Sequence, residues 1–332
     1  MALKLTGFSK ILLVLAIMII LFFVGRKYIP GLNNDSNENK STTNTEQVTN
    51  STSDDNAKST SNGSTKTFDY SAPVPVNGTL KGVVELGASG FNSFIVNIDR
   101  SKNWKLEKAE WGNSLVYDKM ATSDDIRDGL KRYIGKIFDF GVSSKNIHFV
   151  VSSGAQKVES TAKIIGELKK MGYVVNTVTP EQEAKYALKS VLPLSYAGSA
   201  FVVDIGSGNT KISWIDADGN SQGIETYGAK YYVNNVQDNT VTADVKSKAS
   251  KIPNQKTNTC FIIGGVPYQM ADEVRIGDER YTVLRDPSFY KDDGAKMKSG
   301  KIIYQAIKDA TGCDMFVFDW DSNFTIGFLL SL

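Results

Sequence analysis

The chain contains Val84-Glu85-Leu86-Gly87-Ala88-Ser89-Gly90-Phe91 and, 119 positions further on, Val203-Asp204-Ile205-Gly206-Ser207-Gly208-Asn209-Thr210. In both stretches an acidic and an aliphatic residue lead into a glycine-rich turn, and a second run of alternating apolar residues follows. This pattern predicts a strand, a tight turn and a second strand. Because the pattern occurs twice, we predict two related half-domains that meet at one site.

Glycine-rich turns of this kind can bind phosphate, because their backbone N–H groups are not screened by side chains. The carboxylates of Glu85 and Asp204, at the two strand ends, could each hold a metal ion through water. Either turn alone would be weak support, since most glycine turns after strands are only turns. The duplication therefore carries the prediction of a phosphate site, whose residues are Gly87, Ser89, Gly90, Gly206, Ser207, Gly208 and Asn209.

The N-terminus carries an uninterrupted apolar run from Ile11 to Val24, flanked by Lys10 and Arg26-Lys27. The run is shorter than the roughly 20 apolar residues that span a bilayer, but neighbouring apolar residues extend it. A cleaved signal peptide would need a small-residue cleavage site after the run, which the sequence does not offer. We predict an uncleaved signal anchor, a transmembrane helix within residues 1–30. A slight charge bias favours a cytoplasmic N-terminus and an extracytoplasmic remainder.

The composition changes twice after this run. Residues 31–76 are rich in Ser, Thr and Asn and predict a disordered tether, because so few apolar residues cannot offset the entropy of ordering. From about Thr67 the composition becomes globular, with enough residues for two lobes that have their own cores. We predict lobe I over residues 77–195, with the first hairpin, and lobe II over residues 196–332, with the second.

Composition and charge exclude several classes of function. The formal net charge is +2, and no basic stripe with interleaved aromatics is present, so nucleic acid is not an expected partner. The single histidine, His148, lies in a predicted strand and excludes a zinc cluster built on histidines. The two cysteines, Cys260 and Cys313, have no metal-site spacing, and whether they form a disulfide stays open.

The middle of the chain alternates predicted helices and strands, which indicates an α/β fold. One helix start is unusually well specified, in Thr179-Pro180-Glu181-Gln182-Glu183. Thr179 is the predicted N-cap, Pro180 the first helical residue, and Gln182 completes a capping box. Glu183 then lies in the first helical turn, either as a base for a water molecule or as a solvated glutamate. Further along, we predict a polar excursion over Gln237–Thr257 and a closing strand over Phe324–Leu330.

These segments, taken in order, resemble the exopolyphosphatase / guanosine pentaphosphate phosphohydrolase family of the actin, heat-shock-chaperone and sugar-kinase superfamily. The two hairpins resemble the phosphate loops of that family, and Val150–Ala155 resembles its strand-to-helix turn. Thr179–Ala187 is similar to the helix start with the catalytic glutamate, which implies that Glu183 activates water. Gly264-Gly265 is similar to the adenosine-side turn of the superfamily. The resemblance implies two ribonuclease-H-like (actin-like ATPase) lobes with an inter-lobe cleft, and Mg²⁺ or Mn²⁺ as cofactor.

The sequence also departs from the family pattern at several positions. Glu85 stands where aspartate is usual, and Ser207 interrupts three glycines. Asn209-Thr210-Lys211 replaces Ser-Thr-Glu, and Gln156-Lys157 follows Ser153 where an arginine is usual.

Two functional hypotheses remain open. The first is a membrane-tethered phosphoanhydride hydrolase that acts on polyphosphate or a phosphorylated small molecule, with Glu183 as the base. The second is a catalytically inactive binding or sensing module of a membrane or envelope complex that keeps the same fold. A third hypothesis is an actin-like filament former, which would need self-complementary surfaces that a sequence does not show. A homodimer is also possible.

Overall fold

The structure, a computed structural model, describes residues 68–87, 90–111 and 122–332. Residues 63–332 form one compact unit, which contains every described residue. Within this part of the chain, no helix combines the length and apolar character needed to cross a bilayer. The predicted anchor, the tether up to residue 67 and Ser89 of the first turn lie outside the described residues.

The first half of the unit is built on a five-stranded mixed sheet, with strand order β3-β2-β1-β4-β5. β1 pairs with β2 in antiparallel and with β4 in parallel orientation. Helices α1 and α2 accompany this sheet. The elements are β1 Thr79–Gly87, β2 Gly90–Ile98, β3 Trp104–Glu110, α1 Ser123–Asp139, β4 Ile147–Val151, α2 Glu159–Lys170 and β5 Val175–Thr177.

The second half has a six-stranded sheet with strand order β8-β7-β6-β9-β11-β10. Its first five strands repeat the arrangement of the first sheet, with two antiparallel pairs followed by two parallel ones. The predicted duplication is therefore confirmed in the topology. The elements are α3 Pro180–Val191, β6 Ala200–Ile205, β7 Asn209–Ile215, β8 Ser221–Tyr227, α4 Asp238–Ala249, β9 Thr259–Ile263, α5 Gly265–Val274, β10 Tyr281–Val283, α6 Gly294–Thr311, β11 Phe316–Asp319 and α7 Phe324–Ser331.

Three apolar cores hold the elements together, and alternation along the strands assigns residues to them. Val83 faces a central core between the sheets, whereas Val84 faces the core beneath α1 and α2. In the second sheet, Val202 faces the same central core, and Val203 faces the core beneath α4, α5 and α6. Successive strand residues point to opposite faces, so a strand buried on both sides reads as a continuous apolar run.

Helices α3 and α7 contribute to the central core and join the two sheets. The helices approach closely, because a Cβ atom on Gly327 would lie only 1.8 Å from the carbonyl oxygen of Tyr186. The predicted closing strand over Phe324–Leu330 is wrong, since the segment is helix α7. All seven of these residues are buried. An apolar run without a polar face has no period that separates helix from strand.

The predicted polar excursion over Gln237–Thr257 also contains a regular element, helix α4. Its buried residues are Val241, Val245 and Ala249, which follow one another at four-residue spacing on one face. The remaining positions are mostly polar and conceal this short apolar stripe in the sequence.

Candidate functional site

Both hairpins line a single cavity of about 440 Å³. Of the residues predicted to bind phosphate, metal or nucleotide, the structure brings together Glu85, Gly87, Gly90, Asp204, Gly206, Ser207, Gly208, Asn209, Gly264 and Gly265. The predicted cleft between two lobes is therefore present. Glu183 does not line this cavity.

The first hairpin ends in the pair Gly87 and Gly90, which stand opposite each other where β1 meets β2. Glu85, two residues before the turn, is buried with 9% of its surface exposed. Its Oε2 atom accepts hydrogen bonds from the side-chain amides of Asn92, at 2.9 Å, and Asn323, at 3.2 Å. Asn323 is also the N-cap of α7, so the C-terminal helix helps to hold this carboxylate.

The second turn, Gly206–Gly208, is held by the segment after β8. Ala229 and Lys230 donate backbone hydrogen bonds to the carbonyl oxygens of Gly206 and Ser207, both at 2.9 Å. Gly228 packs so tightly that a Cβ atom there would lie 2.3 Å from the Asn209 nitrogen. These contacts hold the turn in its observed backbone conformation, and no local sequence pattern reveals them.

Gly264 brings the turn Gly264-Gly265 against the second hairpin. Its φ of +112° is one that L residues rarely adopt, and a Cβ atom would lie 2.3 Å from the carbonyl oxygen of Ile205. Gly265 begins α5, and a Cβ atom on it would lie 3.2 Å from Nζ of Lys296. Lys296 also lines the cavity, so a cation stands beside this turn.

The start of α3 has the predicted geometry. Gln182 donates its backbone N–H to Oγ1 of Thr179 at 3.2 Å, and its side chain accepts from the backbone N–H of Thr179 at 2.9 Å. Glu183, in the first turn, is fully buried. Its Oε1 accepts the backbone N–H of Ser153, and its Oε2 forms an ion pair with Nζ of Lys211. Burial raises the pKa of Glu183, which the positive charge of Lys211 opposes.

Lys211, on β7, is a site residue that the sequence analysis noted only as a departure from the family pattern. The side chain is buried and lines the cavity. Burial alone would lower the pKa of Lys211, but the charges of Asp204 and Glu183 raise it above its ordinary value. The ammonium therefore stays charged. Burial raises the pKa of Asp204, and Lys211 again opposes the shift.

The turn after Ser153 offers no cationic side chain to the cavity. Gln156, near the position where the family has arginine, donates its side-chain amide to the carbonyl oxygen of Val178 at 2.7 Å. Ser152 and Gly154 line the cavity instead. This turn contributes its backbone and holds Glu183 through Ser153.

The residues do not fit the predicted divalent cation well. Among the residues that the structure describes, no cluster of three or more His, Cys, Asp or Glu side chains is placed to hold a metal ion. One oxygen of Glu85 is occupied by two amides, and Glu183 and Asp204 already interact with an ammonium group. Mg²⁺ is usually held by one or two carboxylates together with waters and substrate phosphates. Here the ammonium of Lys211 interacts with both predicted carboxylates, Glu85 and Asp204, and its positive charge would repel a divalent cation beside them.

Aromatic side chains form one side of the cavity, which the sequence analysis did not predict. Trp111 is 52% and Tyr268 42% exposed, and their ring centroids are 6.5 Å apart. Tyr268 in turn lies 5.3 Å from the ring of Trp320. These residues come from three separate segments, so no sequence motif connects them.

Glu85 makes stability depend on pH. Burial raises its pKa from an ordinary value of 4.5 to about 7, the Asn92 amide opposes this shift, and the charges of Glu183 and Asp204 add to it. Because the folded state then binds the proton more tightly, the free energy of unfolding should fall as pH rises from about 4.5 to about 7, by a few kcal/mol. Glu85→Gln should remove this dependence in urea denaturation. Parallel pH profiles of the two proteins would contradict the assignment.

The two glycines of the second turn should respond differently to a methyl group. In Gly206→Ala the Cβ atom would lie 2.7 Å from the carbonyl oxygen of Asn209, so the turn itself must move. In Gly208→Ala the nearest atom is Cα of Gly154, at an ordinary 3.9 Å. We expect Gly206→Ala to lower the free energy of unfolding by about 1–3 kcal/mol and Gly208→Ala by clearly less. Equal losses in urea denaturation would show that the turn is not constrained as described.

Comparisons with known proteins found solved structures of similar fold. No family model and no curated protein matches the sequence. A crystal structure of the Aquifex aeolicus member of the Ppx/GppA protein family matches with a TM-score of 0.56 and 20% identity, over 76% of this chain and 97% of that chain. A structure of an Aquifex aeolicus PPX-GPPA enzyme matches with a TM-score of 0.58 and 18% identity, over 76% and 99%. An exopolyphosphatase from Cytophaga hutchinsonii matches with a TM-score of 0.59 and 12% identity, over 76% and 97%.

At these identities the likeness concerns the backbone arrangement. It extends over nearly the whole of each matched structure. The chain therefore has the two-lobed fold of the Ppx/GppA and exopolyphosphatase structures, which confirms, at the level of the fold, the resemblance seen in its two hairpins.

Proposed function

We propose that this chain is a binding module for a phosphorylated ligand, with the phosphoryl groups held between the two glycine hairpins. The observation that carries the proposal is the composition of one cavity. Two glycine turns from separate halves of the chain meet there, beside the cationic side chains of Lys211 and Lys296. Backbone N–H groups with nearby cations are the chemistry that proteins use for phosphate.

The second turn is the better placed of the two for a phosphoryl group. A Cβ atom on Gly206 would lie 3.6 Å from Nζ of Lys211, so the ammonium stands directly beside the turn. Lys296, which lines the same cavity, lies close to Gly265. A phosphoryl group at Gly206–Gly208 would therefore have the ammonium of Lys211 directly beside it.

Hydrolysis by Glu183 is the less supported of the two hypotheses. The fold likeness to exopolyphosphatases favours it, but a general base must reach the attacking water within hydrogen-bond distance. Glu183 has no exposed surface, and both of its oxygens are engaged, by Ser153 and by Lys211. The carboxylate would have to give up its ion pair before it could accept a proton from water.

Attachment to a membrane is part of the same proposal and rests on the sequence. The apolar run from Ile11 to Val24 would anchor the chain, and residues 31–67 would separate the binding unit from the bilayer. We propose that the binding unit is extracytoplasmic, since positive charge slightly favours a cytoplasmic N-terminus. A fusion-reporter assay on each side of the membrane tests this arrangement.

The functional test combines binding with turnover on the same preparations. Calorimetry with pyrophosphate, tripolyphosphate, ATP and guanosine pentaphosphate should detect binding of at least one ligand to the full-length protein. Phosphate release with Mg²⁺ or Mn²⁺ should not exceed the protein-free background. Failure of every ligand to bind would contradict a phosphate site. Release that Glu183→Gln abolishes, in a variant that still folds, would establish the hydrolase instead.

A further inference from the structure

The arrangement around Lys211 differs from what the resemblance implies. The family pattern has a glutamate at this position, whereas here a lysine points into the cleft among three carboxylates. The ammonium pairs with Glu183 and interacts electrostatically with Asp204 and Glu85. A positive charge therefore stands next to the carboxylates that were expected to hold a divalent cation.

A purely structural ion pair is the simplest alternative explanation. It would account for the contact with Glu183, which joins β7 to α3. It would not require Lys211 to line the cavity, nor its Nζ atom to lie 3.6 Å from the Cβ position of Gly206. An ammonium has three N–H donors, and within the described residues Glu183 is its ion-pair partner. Donors thus remain for a ligand in the cleft.

We propose that the ammonium of Lys211 takes the place of the expected divalent cation and contacts the bound phosphoryl group, so that ligand binding does not require Mg²⁺. The proposal rests on the phosphate site proposed above. Glu183 is then a positioning residue, which holds the ammonium beside the turn at Gly206. Metal-independent binding becomes possible because a lysine stands where the family pattern has a glutamate. The side chain at this position then carries a positive charge instead of a negative one.

The chemistry is consistent with a phosphoryl group at this position. A bound phosphate beside Glu85 and Asp204 needs a compensating positive charge, since like charges in a cleft repel strongly. A lysine supplies this as a point charge with hydrogen-bond donors, as it does in other phosphate sites. The ion pair with Glu183 limits its movement, so little side-chain entropy is lost on binding.

The test is calorimetry of inorganic pyrophosphate with the full-length protein, first with EDTA and then with excess Mg²⁺. We expect the dissociation constants to agree within about threefold. Lys211→Met/Glu183→Gln removes both partners of the buried ion pair together, so neither is left charged without the other, and the variant should fold. It should bind pyrophosphate at least about tenfold more weakly, as expected for the loss of one charge-assisted hydrogen bond.

A matched control is Lys256→Met. Lys256 is also buried and donates to the carbonyl oxygen of Ala197 at 2.6 Å, but it does not line the cavity. This variant should lose stability and keep pyrophosphate affinity. Lys211→Arg, which retains the charge, should keep part of the binding.

The outcomes separate this inference from the function on which it rests. Binding that appears only with Mg²⁺ would overturn the inference and leave the phosphate site standing. Unchanged affinity in the Lys211→Met/Glu183→Gln variant would also overturn it. No binding under either condition would overturn both. Metal-independent binding that is lost with Lys211 and kept with Lys256→Met would support it.

Discussion

Lys211→Met is expected to lower the free energy of unfolding by about 3–5 kcal/mol, because the fully buried Glu183 would lose its ion-pair partner. The carboxyl group must then remain charged without compensation or take up a proton. Lys211→Met/Glu183→Gln should recover most of the loss, since two neutral side chains of similar size replace the pair. Urea denaturation of the four members of this double-mutant cycle measures the coupling directly.

Additive losses in that cycle would contradict the pairing. The control is Lys105→Met. In the unmodified protein Lys105 forms an ion pair with Glu107, and its side chain is 58% exposed. Exposed pairs contribute about 0–1 kcal/mol, so this variant should have nearly the stability of the unmodified protein. A similar loss at Lys105 and Lys211 would mean that burial does not determine the effect.

The second large effect is expected at Asp319, at the end of β11. Its two oxygens accept from Nε and Nη2 of Arg280, both at 3.0 Å, and Oδ2 also accepts from Oγ of Ser322 at 2.6 Å. Arg280 stacks on the ring of Trp104 in β3, at 4.3 Å, so the pair connects the two sheets. Asp319→Ala should lower the free energy of unfolding by about 3–5 kcal/mol, because the largely buried arginine loses both short hydrogen bonds and keeps, among the described residues, the more distant carboxylate of Asp321 as its ion-pair partner.

Asp321→Ala is the matched control for this prediction. Asp321 lies 3.7 Å from Nε of the same arginine, but its side chain is 32% exposed. We expect a loss of less than about 1 kcal/mol from this variant.

Local sequence patterns predicted the parts of this molecule that local interactions determine. The capping box of α3 needs only Thr179, Pro180 and Gln182, and it has the predicted geometry. Each hairpin is likewise specified within one continuous segment, residues 79–98 and 200–215, by a strand, a glycine turn and a second strand. Because the pattern occurs twice in the sequence, it also predicted two related sheets, and the strand order of the first is repeated in the second.

Contacts between distant segments were not predictable in this way. Asn323 donates to Glu85 across 238 residues, and no spacing rule connects the two. The same holds for Lys211, whose partner Glu183 lies in another element. Glu183 was placed correctly on its helix, but its burial depends on packing among α3, β7 and β8. A role as base was inferred from its position in the first helical turn and from the family resemblance, and the ion pair with Lys211 followed from neither.

The central claim is that both hairpins hold one phosphorylated ligand. The most direct measurement is NMR of ¹⁵N-glycine-labelled full-length protein titrated with pyrophosphate. Amide signals of Gly87 and Gly90 should shift together with those of Gly206 and Gly208, with one apparent dissociation constant. Signals of Gly172 and Gly312, which do not line the cavity, should stay in place. Shifts confined to one hairpin, or equal shifts at all of these glycines, would contradict the account.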